Sequence, residues 1–166
     1  MGDPNGMWSQ LHHKAFQGDL EGTIAEIENS ANVNATNYLG QTSLHTALAN
    51  CSDEEALPIV IALIDHNADL DLQDVEGFTA LYISASEGST ECVQALLDAG
   101  ANPLLADHQG CKPSHHALTR SDVETPLFKT LKAAERRQEL QQIAAQSRPV
   151  DAETAPPQRR SSGFMM

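Results

Sequence analysis

The histidines and cysteines are the side chains of this 166-residue chain best equipped for chemistry. Four of the seven histidines form adjacent pairs, His12/His13 and His115/His116, and His45 stands in the stretch GQTSLHTAL, Gly40 to Leu48, beside Thr42 and Ser43. Such residues could activate a hydroxyl nucleophile or ligate a metal. Neighbours on a helix point about 100° apart, so an adjacent pair cannot offer two nitrogens to one ion as histidines four residues apart can. With no cysteine or carboxylate at ligand spacing beside the pairs, no metal is expected. Cys51, Cys92 and Cys111 form no CxxC pair and are odd in number, which reads as buried thiols rather than a disulfide framework. There is no GxSxG, no phosphate-cradling glycine loop, no HExxH, and no nucleophile with a base and an orienting group. A chain with no catalytic residue, no cofactor and no enzyme activity is the expectation.

The stretch around His45 recurs, and the recurrence decides what it is. Aligned segments are SQLHHKAFQGDL from Ser9, TSLHTALANCSD from Thr42, TALYISASEGST from Thr79 and KPSHHALTRSDV from Lys112. Their anchors Leu11, Leu44, Leu81 and Ser114 are 33, 37 and 33 residues apart. A second half repeats too: IAEIENSANVNATN, VIALIDHNADLDLQD and VQALLDAGANPLLAD align at Ala31, Ala68 and Ala101. From anchor to alanine is 20 residues in the first and third units and 24 in the second, so the extra four lie inside the second unit, around CSDEEALP. Ser52 and Glu55 there form a capping-box pattern, which lengthens a helix by about a turn or supplies a second contact site.

These units resemble ankyrin repeats, a period of about 33 residues carrying T-P-L-H-x-A. The resemblance runs from about Trp8 to Lys132, is strongest in GQTSLHTA and GFTALYISASEGSTECVQALLDAGANP, and fades in GCKPSHHALTRSDV. It implies an all-α solenoid of stacked helix-turn-helix units with β-hairpin-like connecting loops, closed by a long C-terminal capping helix. Local signals agree. Thr79 suits a helix N-cap and Gly88 its end; Cys92, Val93, Leu96 and Leu97 form an apolar stripe that Gly100 terminates. Gly77 and Gly110 fall where a hairpin tip turns with positive φ. One helix pair cannot bury its stripe alone, so the ends need covers: Trp8 at the front, where Lys14 replaces the usual alanine, and Ser114 at the back in place of leucine. The segment from Thr125, with Pro126 at its first turn, reads as one helix through Gln146 whose Leu127, Phe128, Leu131 and Ala134 seal the stack. Beyond Arg136 only Leu140, Ile143 and Ala144 are apolar, a stripe that projects into solvent or meets a partner helix.

The expected organisation is a flexible leader over 1–7, repeat one over 8–37, repeat two over 38–74 with the four-residue insertion, repeat three over 75–107, a degenerate fourth repeat with the C-terminal helix over 108–146, and a disordered tail over 147–166. The tail ends RRSSGFMM, holding a short kinase-like pattern and a terminal apolar carboxylate pattern of the kind that short chance matches also give. No stretch reaches the ~20 apolar residues of a membrane span. Neither a signal peptide nor a complete myristoylation motif opens the chain. A cytoplasmic location, with the nucleus as an alternative, is expected, and no membrane.

Charge narrows the partner. The net charge is −13, but residues 1–107 carry seventeen acidic side chains against Lys14 alone, and the rest carries nine basic and six acidic. An acidic body repels phosphate backbones, so no nucleic acid is expected and a protein surface of basic or mixed charge fits better. Solubility alone explains such a surface equally well. The resemblance implies a monomeric, non-catalytic scaffold or regulator that binds a partner through a concave face. Carried over unit by unit, that face comprises the tip residues Tyr38, Leu39, Gln41, Val75, Glu76, Phe78, His108, Gln109 and Cys111. It also takes Phe16, Gln17, Ala49, Asn50, Ser86, Glu87, Thr119 and Arg120 from the inner helices. Phe78 and Leu39 have a competing use in hairpin-to-hairpin packing. The resemblance gives a structural role to Leu11, His12, Gly40, Thr42, Leu44, His45, Gly77, Thr79, Leu81, Gly88, Gly100, Gly110 and His115. The hydroxyls at 42 and 79 and the histidines at 12, 45 and 115 fasten a helix start to the neighbouring hairpin, with Tyr82 a departure. Two alternatives stand beside this reading: recruitment through the C-terminal helix and tail, and Asn34 as a substrate of asparagine hydroxylation.

Overall fold

The computed structural model describes residues 8–117 and 125–146. Among them the chain is helical and holds no strand, with α1 Gln10–Phe16, α2 Leu20–Glu28, α3 Ser43–Asn50, α4 Asp53–Asp65, α5 Ala80–Glu87, α6 Thr90–Asp98, α7 Pro113–His116 and α8 Pro126–Gln146. The inner helices α1, α3, α5 and α7 pack side by side, α2, α4 and α6 form the outer layer, and each inner helix of the first three units packs on the outer one that follows it. This is the stacked helix-turn-helix solenoid that the period implies.

The anchors make the stack cohere. Leu11, Leu44 and Leu81 are at most 1% exposed, and they join Ile59, Val60 and Leu63 of α4 with Cys92, Val93 and Leu96 of α6 in one continuous core. Each such leucine contributes about 1.5–3 kcal/mol by leaving water, and each is buried by helices of neighbouring units rather than by its own unit alone. Ser114 takes the fourth anchor position, fully buried, with no partner for its hydroxyl among the described residues. Among the described residues of the last repeat, α7 and its flanks add little apolar burial. Leu127 and Leu131 of α8 close the core instead, behind Thr125, whose hydroxyl accepts from Phe128 N and donates to Ala117 O.

At the other end Trp8 lies edge-on to Phe16, their ring centroids 5.7 Å apart, and 5.5 Å from His13. Lys14 reaches Asp19, 2.8 Å away, whose other oxygen accepts from Gly22 N at the start of α2.

The second unit shows how an insertion is absorbed. In the third unit α5 stops at Gly88, with φ 81°, and α6 starts at once behind Ser89. The aligned residue in the second unit is Cys51, which leaves α3 with φ −99° and ψ 153°. A side chain disfavours the left-handed turn that glycine takes, so the chain runs on extended and starts the next helix early. Ser52 then caps α4 through its reciprocal pairing with Glu55, and α4 reaches 13 residues where α2 and α6 have nine. One cost follows. Counting back from the aligned alanines, Pro58 corresponds to Glu91, in the first turn of α6, where a missing N–H is harmless. The added turn puts it inside α4, where the carbonyl four residues earlier loses its donor. Pro58→Ala is expected to raise stability by about 1–3 kcal/mol. The check is a higher urea midpoint at an unchanged m-value.

Candidate partner-binding surface

Between outer and inner helices the chain makes three equivalent hairpins, each built on one side chain. Oδ1 of Asn37 accepts from the N–H groups of Leu39 and Gln41, that of Asp74 from Glu76 and Phe78, and that of Asp107 from Gln109 and Cys111, all within 3.0 Å. Backbone bonds from residues 37, 74 and 107 to the carbonyls of 41, 78 and 111 close each turn. The bonds from Cys111 and Gln109, together with Tyr82 and His116, hold the Asp107 carboxyl below its ordinary range despite its burial. Successive hairpins are then tied in register: Val75 N–H donates to Leu39 O at 3.0 Å and His108 N–H to Glu76 O at 3.1 Å. That contact is so close that a Cβ on Gly40 would come within 3.2 Å of the Asp74 backbone, and one on Gly77 within 2.8 Å of His108 N. Both glycines also have φ above 70°, so the tips require them twice over. A Cβ on Gly110 would meet nothing within 4 Å, and among the described residues this is the last hairpin of the row.

Each hairpin is fastened to the inner helix before it in the chain. Thr42 Oγ1 and the Thr42 N–H both donate to His45 Nδ1, at 2.8 and 3.2 Å, which fixes the proton on Nε2, and Nε2–H donates to Phe78 O at 3.1 Å. His12 repeats this one unit earlier, with Ser9 on Nδ1 at 2.7 Å and Gln41 O on Nε2 at 2.9 Å. Burial holds both imidazoles below their ordinary pKa. A proton on Nδ1 would also oppose the N-cap donors already aimed at it. In the third unit Tyr82 replaces the histidine. Its ring stacks on Phe78 at 4.2 Å, and its hydroxyl acts on the Asp107 carboxylate and lies 2.6 Å from His116 Nε2, so this link reaches both the last hairpin and the last inner helix. Burial, and after it the Asp107 carboxylate, push the phenol pKa up. His115 is exposed; its Nδ1 accepts from Lys112 N at 3.3 Å, which keeps the local cap, and no further hairpin follows among the described residues.

The residues expected to contact a partner fall into two groups. Along the tips Tyr38 is 61% and Val75 52% exposed; Glu76, His108 and Gln109 are exposed, while Leu39, Gln41, Phe78 and Cys111 are half-buried. At the far ends of the inner helices Phe16, Gln17, Ala49, Asn50, Ser86 and Glu87 are exposed. Between the groups every residue of α3 from Ser43 to Leu48 and of α5 from Ala80 to Ala85 is buried, so the structure does not merge them into one patch. Thr119 and Arg120 lie outside the described residues, as do the leader and the tail. Asn34 is exposed, and its Oδ1 accepts from Asp69 N at 2.8 Å, a bridge that Asp71 repeats to Asn102 N one unit on.

Sequence reasoning missed two clusters. One is the seat that His13 and Phe16 give Trp8, itself the expected front cover, assembled because α1 carries positions 13 and 16 on one side. The other contradicts the expectation that neither histidine pair has a ligand-spaced cysteine or carboxylate. Asp107, Cys111 and His116 each place a possible ligand atom within 4.8 Å of the others, brought together because the hairpin reverses the chain just before α7.

Paired helices, a regular row of hairpins and a histidine link between units define a stacked-repeat protein, and the chain belongs to the ankyrin-repeat family. Residues 11–107 and 48–138 match the family described as ankyrin repeats, three copies. The chain is similar to intracellular phospholipase A2 of Caenorhabditis elegans, 28% identical over 132 residues covering 76% of this chain and 12% of that protein. It is also similar to Rabankyrin-5 of Mus musculus, 32% identical over 120 residues covering 70% and 10%, respectively. A third relative is a probable E3 ubiquitin-protein ligase of Oryza sativa, 38% identical over 84 residues covering 50% and 18%. The chain thus spans less than a fifth of each of these relatives. Ankyrin repeats generally mediate protein–protein interaction and are typically non-enzymatic, although the worm relative is by its name an enzyme. No described helix is long and apolar enough to cross a membrane.

The histidine links predict a pH dependence with a definite sign. Both folded-state pKa values lie below the 6.5 of an unfolded chain, so the unfolded state takes up protons first and stability falls as pH drops below about 6.5. The lowered carboxyls, Asp19 and Asp107, act only in more acid solution, below the ordinary 3.8. Urea midpoints should therefore decline between about pH 7 and pH 5. His45→Gln should cost about 1–3 kcal/mol at neutral pH, by stranding buried partners, and flatten that decline. A slope unchanged by the substitution would count against the link.

Proposed function

We propose that the chain is a non-catalytic protein-interaction scaffold or regulator, and that the row of hairpin tips is where a partner of basic or mixed charge docks. One observation carries this reading. Among the described residues Tyr38 and Val75 are the two most exposed large apolar side chains of the repeats, they stand on adjacent tips, and the Leu39–Val75 bond holds those tips in fixed register. Anchors already held in place lose little entropy on binding, and apolar or aromatic anchors rimmed by charge are the usual composition of binding hot spots. The acidic balance of residues 1–107, with Glu76 exposed beside Val75, supports attraction of a basic partner and electrostatic steering. Phe78 is better suited to stiffening its tip through Tyr82 than to forming the contact. Affinity capture from the native cell, followed by mass spectrometry, supplies the partner. Tyr38→Ala with Val75→Ala is then expected to weaken its binding at least about tenfold at an unchanged melting temperature, and added salt should weaken it further. Unchanged recovery by the folded double variant would sink the tip assignment.

A second reading rests on the far half of α8. Leu140 is 58% exposed on a segment in which every residue from 139 to 146 is exposed. If recruitment occurs there, removing residues from 138 onward abolishes capture while the melting transition of the repeats is retained. If the tips recruit, the same truncation leaves capture intact.

A further inference from the structure

We propose that Asp107, Cys111 and His116 form a site for one zinc-class divalent cation that pins the last hairpin to the last inner helix. A carboxylate oxygen, a thiol sulfur and an imidazole nitrogen lie within 4.8 Å of one another. In tetrahedral ligation, with metal–ligand bonds of about 2.0–2.3 Å, neighbouring ligand atoms sit roughly 3.3–3.8 Å apart. Closing the set takes side-chain shifts of about an ångström. Cys111 is half-buried and His116 exposed, so both have room to make them, while the carboxylate is already oriented. Its Oδ1 is held by the N–H groups of Gln109 and Cys111, at 2.8 Å each, and the Tyr82 hydroxyl also acts on the carboxylate, so a metal would bind beside that hydroxyl. Such outer bonds are what fix a ligating carboxylate.

The donor set selects the ion. Calcium and magnesium favour oxygen alone, whereas one thiolate, one imidazole and one carboxylate suit zinc and its spectroscopic substitute cobalt. As the sulfur–metal bond forms, the Cys111 thiol releases its proton to solvent. Three protein ligands leave a fourth position for water, and the Tyr82 hydroxyl, 2.6 Å from His116 Nε2, stands beside the set as a hydrogen-bond partner.

Comparison of the units sets this cluster apart from the fold's own requirements. Position 107 is Asn37 and Asp74 in the earlier units, where it builds the same hairpin. Position 111 is Gln41 and Phe78, and position 116 is Thr46 and Ile83, so only the last unit combines a thiol and an imidazole there. That unit is also the one short of other fastening. α7 has four residues, its anchor is Ser114, and the histidine that ties a helix to the next hairpin in the first two units is Tyr82 in the third. The metal would add a cross-link where Tyr82 stands in for the imidazole, independently of what the tips bind.

The test titrates the full chain with Co²⁺ in a thiol-free reducing buffer, then displaces it with Zn²⁺. The expected result is a thiolate-to-cobalt charge-transfer band saturating at one equivalent and a melting temperature that rises with Zn²⁺. Cys111→Ser should abolish the band, His116→Ala should weaken binding at least about tenfold, and Cys51→Ser should change neither. Circular dichroism of the variants separates lost binding from lost structure. No band at one equivalent, a band that survives Cys111→Ser, or wild-type affinity in His116→Ala would each overturn the site.

Discussion

The architecture depends on one hydrogen-bonded link: an imidazole at the start of an inner helix that takes protons from its own N-cap on one nitrogen and gives its proton to the next hairpin on the other. Helix starts carry orphan donors, and hairpin edges carry orphan acceptors. His45 satisfies one of each, reaching a hairpin 33 residues on, and His12, which accepts from the Ser9 hydroxyl, satisfies a hairpin acceptor 29 residues on. Apolar burial supplies the larger energy, but it is non-directional and would tolerate sliding of one helix pair over the next. The imidazole bridge and the backbone bonds between tips admit one register. Regular spacing of exposed tips is thus a by-product of satisfying buried polar groups.

This division of labour explains what the sequence made legible. Period, paired helices and their caps are local, and Thr79, Gly88 and Ser52 announced them through short-range chemistry. The fold class followed from three units in register. Less legible was everything that depends on a neighbour several dozen residues away. Each of the residues from Ser43 to Leu48 is buried because helices from adjacent units cover faces that a single amphipathic stripe would leave open, so the split between tips and helix ends had no signature in α3 itself. Tyr82 read as a lost link because only the folded chain shows His116 within its reach.

The two ends of the stack solve unlike problems. At the front an aromatic group covers the first inner helix, and Lys14 neutralises the cap of α2. At the back the repeat pattern decays gradually: the anchor becomes a serine with no hydrogen-bond partner among the described residues, the inner helix shrinks to one turn, and α8 lends Leu127 and Leu131 before running on beyond the core. In a solenoid whose stability is nearly a sum of unit and interface terms, such an end opens first. Order in the last hairpin is therefore the least secured by the core.

The extended exit at Cys51 has a wider bearing. Because the left-handed stop is missing there, added chain is taken up on the outer side, by α4, while the hairpins on either side keep their spacing. The turn between α3 and α4 is thus a splice point. A loop, a label or an entire folded insert placed before Ser52 would hang from the back of the molecule, and the row of tips would keep its geometry.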